Sequence, residues 1–130
     1  MTESIPQPAS IDSLCPGCFD DKGQTNPCPH CGFDEQRPLA PLALPLRTRL
    51  GEQFIVGRVL GKPGGFGITY LGWDLRLQTR VAIKEYLPRE LATREPNGVR
   101  VIGHTPHDSS VFREGLKQFL GEARTLARLD

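Results

Sequence analysis

Three things are scarce in this chain of 130 residues, and each scarcity narrows what it can be. No apolar run approaches the roughly 20 residues that a membrane-spanning helix needs, so no membrane segment is expected. The first ten residues, MTESIPQPAS, have neither the basic start nor the apolar stretch of a secretory leader. A reducing, cytoplasmic setting is therefore the default. Net charge is almost absent, at +1 with 24% charged residues, which excludes binding to nucleic acid or a membrane surface through bulk charge. No internal repeat is visible beyond two cysteine pairs.

The charge is nevertheless uneven. Residues 1–40 hold six acids and two bases, and residues 41–130 hold nine acids and fourteen bases. The second part is mildly basic, which suits a phosphate ligand. Composition also divides the chain. Residues 1–13 are polar, contain Pro6 and Pro8, and read as a disordered tail. Residues 14–34 hold all four cysteines. Residues 35–49 carry Pro38, Pro41 and Pro45 and read as an extended linker of polyproline type, whose leucines can dock on a neighbouring surface. Residues 50–130 have the pattern of a folded domain.

Cys15-Pro16-Gly17-Cys18 and Cys28-Pro29-His30-Cys31 form two CxxC units with nine residues between them. Each such turn places two thiolates on one tetrahedral cation, and two turns complete a structural zinc site with no open position for catalysis. Gly32 after Cys31 permits a backbone that aims amides at the sulfurs; Phe19 stands in the equivalent place after Cys18. The segment is too short to fold without a staple. Disulfides are the competing reading, but nothing indicates secretion. His30 lies in a turn already supplied with sulfurs and is not expected to ligate. The acidic composition of this zinc ribbon favours contact with protein over nucleic acid.

The stretch LGKPGGFGITYLGWD, Leu60–Asp74, contains five glycines. Residues 53–60 and 67–73 are rich in β-branched and aromatic residues and read as strands. The glycines between them make a hairpin turn. A third strand is expected at 80–86, where Ala82 and Lys84 share a face opposite Val81 and Ile83. Such a hairpin lets backbone amides approach a polyphosphate, and a nearby lysine neutralises part of its charge.

These residues resemble the amino-terminal lobe of bacterial serine/threonine protein kinases. The likeness rests on the glycine loop followed by VAIK at Val81–Lys84, and on FREGLKQFLGEARTLARL near the end. It implies an α+β fold: a partial protein-kinase N-lobe, with a twisted antiparallel sheet of three or more strands and one packed helix, preceded by the zinc ribbon. It implies ATP as ligand, with magnesium in a complete kinase, and phosphoryl transfer to protein Ser/Thr. By position, Leu60, Thr69 and Ala82 would line the adenine pocket. Gly61, Gly64, Gly65 and Gly67 would form the loop over the phosphates, with Phe66 at its tip. Lys84 would contact the α- and β-phosphates and pair with Glu122 on the helix. One departure is visible: the family's first glycine falls on Lys62, Gly61 sits one position early, and Pro63 lengthens the loop by one while lacking an amide hydrogen.

Residues 87–107 form a longer connection than the family uses, broken by Pro88, Pro96, Asn97-Gly98 and Pro106, with a short strand expected at 99–102. His104 and His107 read as solvated loop residues. The helix is expected to begin at Ser109 or Ser110, with Phe112, Leu116, Phe119, Leu120, Ala123, Leu126 and Ala127 on one arc. The family's HRD-type loop and DFG-type aspartate do not occur in these 130 residues; His107-Asp108 lacks the surrounding pattern. The expectation is a kinase lobe truncated before its catalytic loop and inactive alone, engaging protein substrate only if completed by a second lobe. The alternative is a non-catalytic zinc-binding adaptor module with a kinase-like scaffold.

Overall fold

The computed structural model describes residues 11–129, apart from Pro63 and Asn97, with side chains as far as Leu120. The expected tail at residues 1–10, and the side chains of Glu122, Ala123, Leu126 and Ala127, lie outside the described residues. The fold is α+β. Its strands are β1 (Arg49–Leu50), β2 (Phe54–Val59), β3 (Gly67–Asp74), β4 (Thr79–Tyr86), β5 (Ala92–Arg94) and β6 (Val101–Gly103), followed by helix α1 (Pro106–Leu129). The first four form an antiparallel sheet in the order β1-β2-β3-β4, and β5 and β6 form a separate two-stranded ribbon.

The three strands expected from sequence appear within a residue of their expected ends, because their pattern is strong. Along β3 burial alternates without a break, with Ile68, Tyr70, Gly72 and Asp74 inside, as the two-residue period of a strand requires. No helix among the described residues is long and apolar enough to cross a membrane.

The chain divides into two compact units. The first contains the residues up to Leu39, Leu46–Arg58 and Tyr70–Ile83; the second contains Ala40–Pro45, Val59–Thr69 and the chain from Lys84 on. In the first unit Leu14, Phe19 and Ile55 form a buried cluster with Ile11, Leu71, Trp73 and Leu75 packed against it. Residues 11–13, assigned by composition to the tail, make one 3-10 turn. The expected polyproline linker is interrupted. Leu42 and Arg47 adopt left-handed backbone angles, which breaks an extended run, and Leu44 is buried. Arg47 ends the segment by pairing with Glu35 and donating to Leu14 O at 3.0 Å.

In the second unit the 87–107 connection proves to be structured. β5 pairs antiparallel with β6, with Thr93 opposite Ile102. The added strand thus occurs two residues later than expected, with a partner that its short ATR sequence did not announce. Arg94 is buried inside this unit. It donates to Leu42 O at 2.7 Å and Val99 O at 2.8 Å, and pairs with Glu85. Helix α1 starts three to four residues earlier than expected. Thr105 caps it by accepting the Asp108 amide on its hydroxyl at 3.0 Å, and Pro106 takes the first helical position, where a missing amide costs nothing. Ser109 and Ser110 lie inside the helix. Tyr86 holds the helix: its ring centroid lies 5.3 Å from Phe112 and 5.6 Å from Phe119. Leu120, expected on the buried arc, is 46% exposed, because the row that meets Tyr86 runs through residues 112 and 119, and Leu120 lies about 100° further round.

Candidate functional site

Two places gather the residues singled out by sequence, one in each unit. In the first unit the Sγ atoms of Cys15, Cys18, Cys28 and Cys31 all lie within 4.8 Å of one another. Cys15 and Cys31 are 3.7 Å apart at sulfur, and Cys18 and Cys28 are 3.8 Å apart. All four thiols are free. A tetrahedron with sulfur arms of about 2.3 Å has edges of about 3.8 Å; the Cys15–Cys31 and Cys18–Cys28 edges match that length, and the four thiols form a possible metal site.

The local backbone explains the arrangement. The Phe19 amide donates to Cys15 O at 2.6 Å, and the Gly32 amide donates to Cys28 O at 2.8 Å, so the two turns close alike. Both residues take left-handed φ angles, 60° at Phe19 and 78° at Gly32. Glycine accepts this readily; Phe19 accepts it while burying its ring against Trp73, with centroids 5.8 Å apart. Amides also point at sulfur, from Gly17 to Cys15 at 3.2 Å and from His30 to Cys28 at 3.4 Å. Burial pushes the Cys28 thiol up, but the Cys31 and His30 amides and the thiols of Cys15 and Cys18 outweigh it and bring it down to about 6. Burial pushes Cys18 up to about 12; the Asp20 amide opposes this, and the neighbouring thiols add to it. Burial likewise raises Cys15. A cation bound at the four sulfurs would displace their protons. His30 stands outside the set, exposed, with its ring nitrogen 3.3 Å from Asp21 O.

In the second unit the glycine ribbon continues the hairpin. Leu60 donates to Thr69 O at 2.8 Å and Gly64 to Gly67 O at 3.1 Å. The loop is braced from behind, because Leu87 donates to Phe66 O at 2.8 Å and Arg89 to Gly65 O at 3.3 Å. Its glycines fall into two kinds. A Cβ on Gly67 would lie 1.9 Å from the backbone oxygen of Glu85, so close strand approach requires glycine there. A Cβ on Gly64 or Gly65 would meet nothing within 4 Å, and neither has a left-handed φ. No contact among the described residues explains those two. Among the described residues the amides of Gly65 and Phe66 have no backbone partner.

A cavity of about 290 Å³ lies over this loop, lined by residues 64–69, Lys84, Glu85 and Phe119. It brings together Gly64, Gly65, Phe66, Gly67, Thr69 and Lys84 of the expected set. Leu60, Gly61 and Ala82 do not line it; Ala82 lines a separate cavity of about 430 Å³ with Leu50, Phe54 and Ile83. Lys84 is exposed and shares its face of β4 with Tyr86, which meets Phe119. No acid among the described side chains pairs with Lys84. Glu122 belongs to α1 by backbone, and its side chain lies outside the described residues. His104 and His107 are exposed. The residues that sequence reasoning missed are Arg58, Arg80 and Arg94, whose partners are carbonyls and acids that no spacing rule points to.

No protein-family model matches the chain, and no curated protein does. Among solved structures it is similar to the apo form of PpkA-294, a bacterial Ser/Thr kinase fragment, with 37% identity and a TM-score of 0.60. The match covers 67% of this chain, which spans 30% of that one. With the glycine loop and Lys84 in place, this likeness supports a kinase-like scaffold for the chain.

Proposed function

We propose that the second unit is the ATP-binding part of a serine/threonine protein kinase lobe and that the four cysteines hold a structural zinc ion. The observation that carries the kinase reading is the single cavity in which the glycine loop and Lys84 meet. Gly64 and Gly65 leave open space where no packing demands it, which suits the close approach of a phosphate group to backbone. The amides of Gly65 and Phe66 would donate to phosphate oxygens. The Lys84 ammonium would neutralise the α- and β-phosphates, and Glu122 would hold that ammonium in line. Phe66, 80% exposed at the tip, would cover the phosphates from water. Bound ATP with magnesium supplies the transferable phosphoryl group. In a complete kinase the recipient would be a protein Ser or Thr. Cys15, Cys18, Cys28 and Cys31 would fill the zinc coordination sphere and leave no open position.

Titration with a non-hydrolysable ATP analogue and magnesium tests the nucleotide reading. The chain should bind saturably. Lys84→Ala should weaken binding about tenfold or more, the worth of a charge-assisted contact. Its melting temperature should stay within a degree or two of the original, because Lys84 is exposed. Binding that is absent, or indifferent to Lys84, would contradict the assignment.

A further inference from the structure

The loop Cys15–Cys18 does not stand apart from the sheet strands of its unit. Three consecutive carbonyls in it receive donors from those strands. The Arg58 amide donates to Pro16 O at 2.9 Å, and Arg58 Nε donates to Gly17 O at 3.0 Å. Arg80 Nε donates to Cys18 O at 2.6 Å, and Arg80 Nη2 pairs with Asp20 at 3.2 Å. Gly57 makes room for this approach: a Cβ there would lie 2.4 Å from Pro16 O and 2.8 Å from the Phe19 ring. Phe19 completes the seam by stacking on Trp73 of β3. Among the described residues the loop Cys28–Cys31 has no such bond to the strands. Its bonds stay within the cysteine segment, to Phe33 O, to Asp21 O through the His30 ring, from the Gly32 amide and to its own sulfur, and Cys31 is exposed.

A divalent cation held by four thiolates is formally dianionic. A carbonyl bound to a guanidinium carries part of that positive field to the sulfur beside it, and partners of this kind tune metal affinity. Arg80 holds the carbonyl of Cys18 itself, and Arg58 holds that of Gly17, the residue before it. Neither belongs to the cysteine motif.

We infer that Arg58 and Arg80 are positioning residues for the metal, and that metal occupancy in turn sets the order of β2, β3 and β4 within this unit. The cysteine segment is thus a metal-dependent clamp on the sheet rather than a separate module. This rests on the zinc reading of the four cysteines given above. Trp73 is the single tryptophan of the sequence and lies on the seam, so its emission reports the clamp directly.

The test uses the 130-residue protein under reducing conditions. Zinc affinity is measured by competition with a chromophoric chelator, and Trp73 emission is recorded before and after zinc is stripped. Arg80→Ala, at a half-exposed position, should keep one zinc at saturation and bind it about tenfold more weakly or worse. Arg80→Lys should recover part of the loss, and Arg58→Ala should lose at least as much as Arg80→Ala. Arg113→Ala, which removes the same charge from α1, should bind zinc like the original. Stripping zinc should shift Trp73 emission to the red. One zinc bound, with both arginine variants at full affinity and Trp73 emission unmoved by stripping, would overturn the clamp and leave the zinc site standing. No zinc bound at saturation would remove the zinc reading and the clamp together.

Discussion

In the cysteine-bearing unit, arginines reach far along the chain to irregular backbone. Arg80 meets Cys18 O across 62 residues, Arg58 meets Gly17 O across 41 and Arg47 meets Leu14 O across 33. In the glycine-loop unit one buried arginine, Arg94, bonds Leu42 O, Val99 O and Glu85, while aromatic rings on Tyr86, Phe112 and Phe119 hold the helix. Carbonyls in irregular segments have no ladder to satisfy them, and an arginine fork supplies several fixed donors at once. The unit with more irregular chain therefore uses more arginines. On the proposed reading each unit depends on something different: the first on a cation at its four cysteines, the second on Arg94 and its aromatic stack.

The largest break in this comparison should come from Cys15→Ser with Cys28→Ser. Structural zinc in small peptides is worth on the order of 10 kcal/mol at neutral pH, comparable to a domain's whole stability. The first unit should lose its cooperative melt, followed by circular dichroism and Trp73 emission. Next comes Arg94→Ala in the second unit. It removes the guanidinium that pairs with Glu85 and that bonds Leu42 O and Val99 O; breaking such a buried pair should cost about 3–5 kcal/mol, read by chemical denaturation, with faster amide exchange at 40–45 and 99–103.

The glycines give a sharper contrast within one loop. Gly67→Ala drives a methyl into the Glu85 carbonyl and should destabilise by roughly 3 kcal/mol. Gly64→Ala enters open space and should stay within about 1 kcal/mol of neutral or stabilise slightly. Equal effects at the two positions would contradict the division of the glycines into packing and ligand-facing kinds.

The smallest expected effect is acidic. The Arg47 guanidinium, and then the Lys22 ammonium, hold the Glu35 carboxyl below its ordinary 4.5 against the opposing effect of burial. A depressed carboxyl stabilises the fold above its unfolded value and loses that contribution as pH falls through the folded one. Stability should therefore drop as pH falls below 4.5. Glu35→Gln at equal metal saturation should flatten that part of the profile.

What was legible in the sequence was what local pattern encodes. The strands at 54–59, 67–74 and 79–86 announce themselves by β-branched runs and glycine punctuation, and the paired CxxC spacing marks its own cluster. The helix start was placed too late, at Ser109 or Ser110: Thr105-Pro106-His107-Asp108 is a capping signal that outranks those serines. The short strand β5 was not legible, since three residues, ATR, carry no period and owe their place to β6 and to buried Arg94. Nor were Arg58 and Arg80, which look like ordinary exposed strand residues until their carbonyl partners are known.

On the proposed reading the chain carries two separate sites, a cation in the cysteine unit and a nucleotide in the glycine-loop unit. Amide hydrogen exchange read by mass spectrometry tests it most directly, on one protein with and without a metal chelator, and with and without the ATP analogue and magnesium. Chelation should speed exchange at 14–34, 54–58 and 70–74. The analogue should slow exchange at 60–69 and 84–86, and Lys84→Ala should abolish this second effect alone. Exchange at 60–69 unchanged by the analogue, or exchange at 14–34 unchanged by chelation, would contradict it.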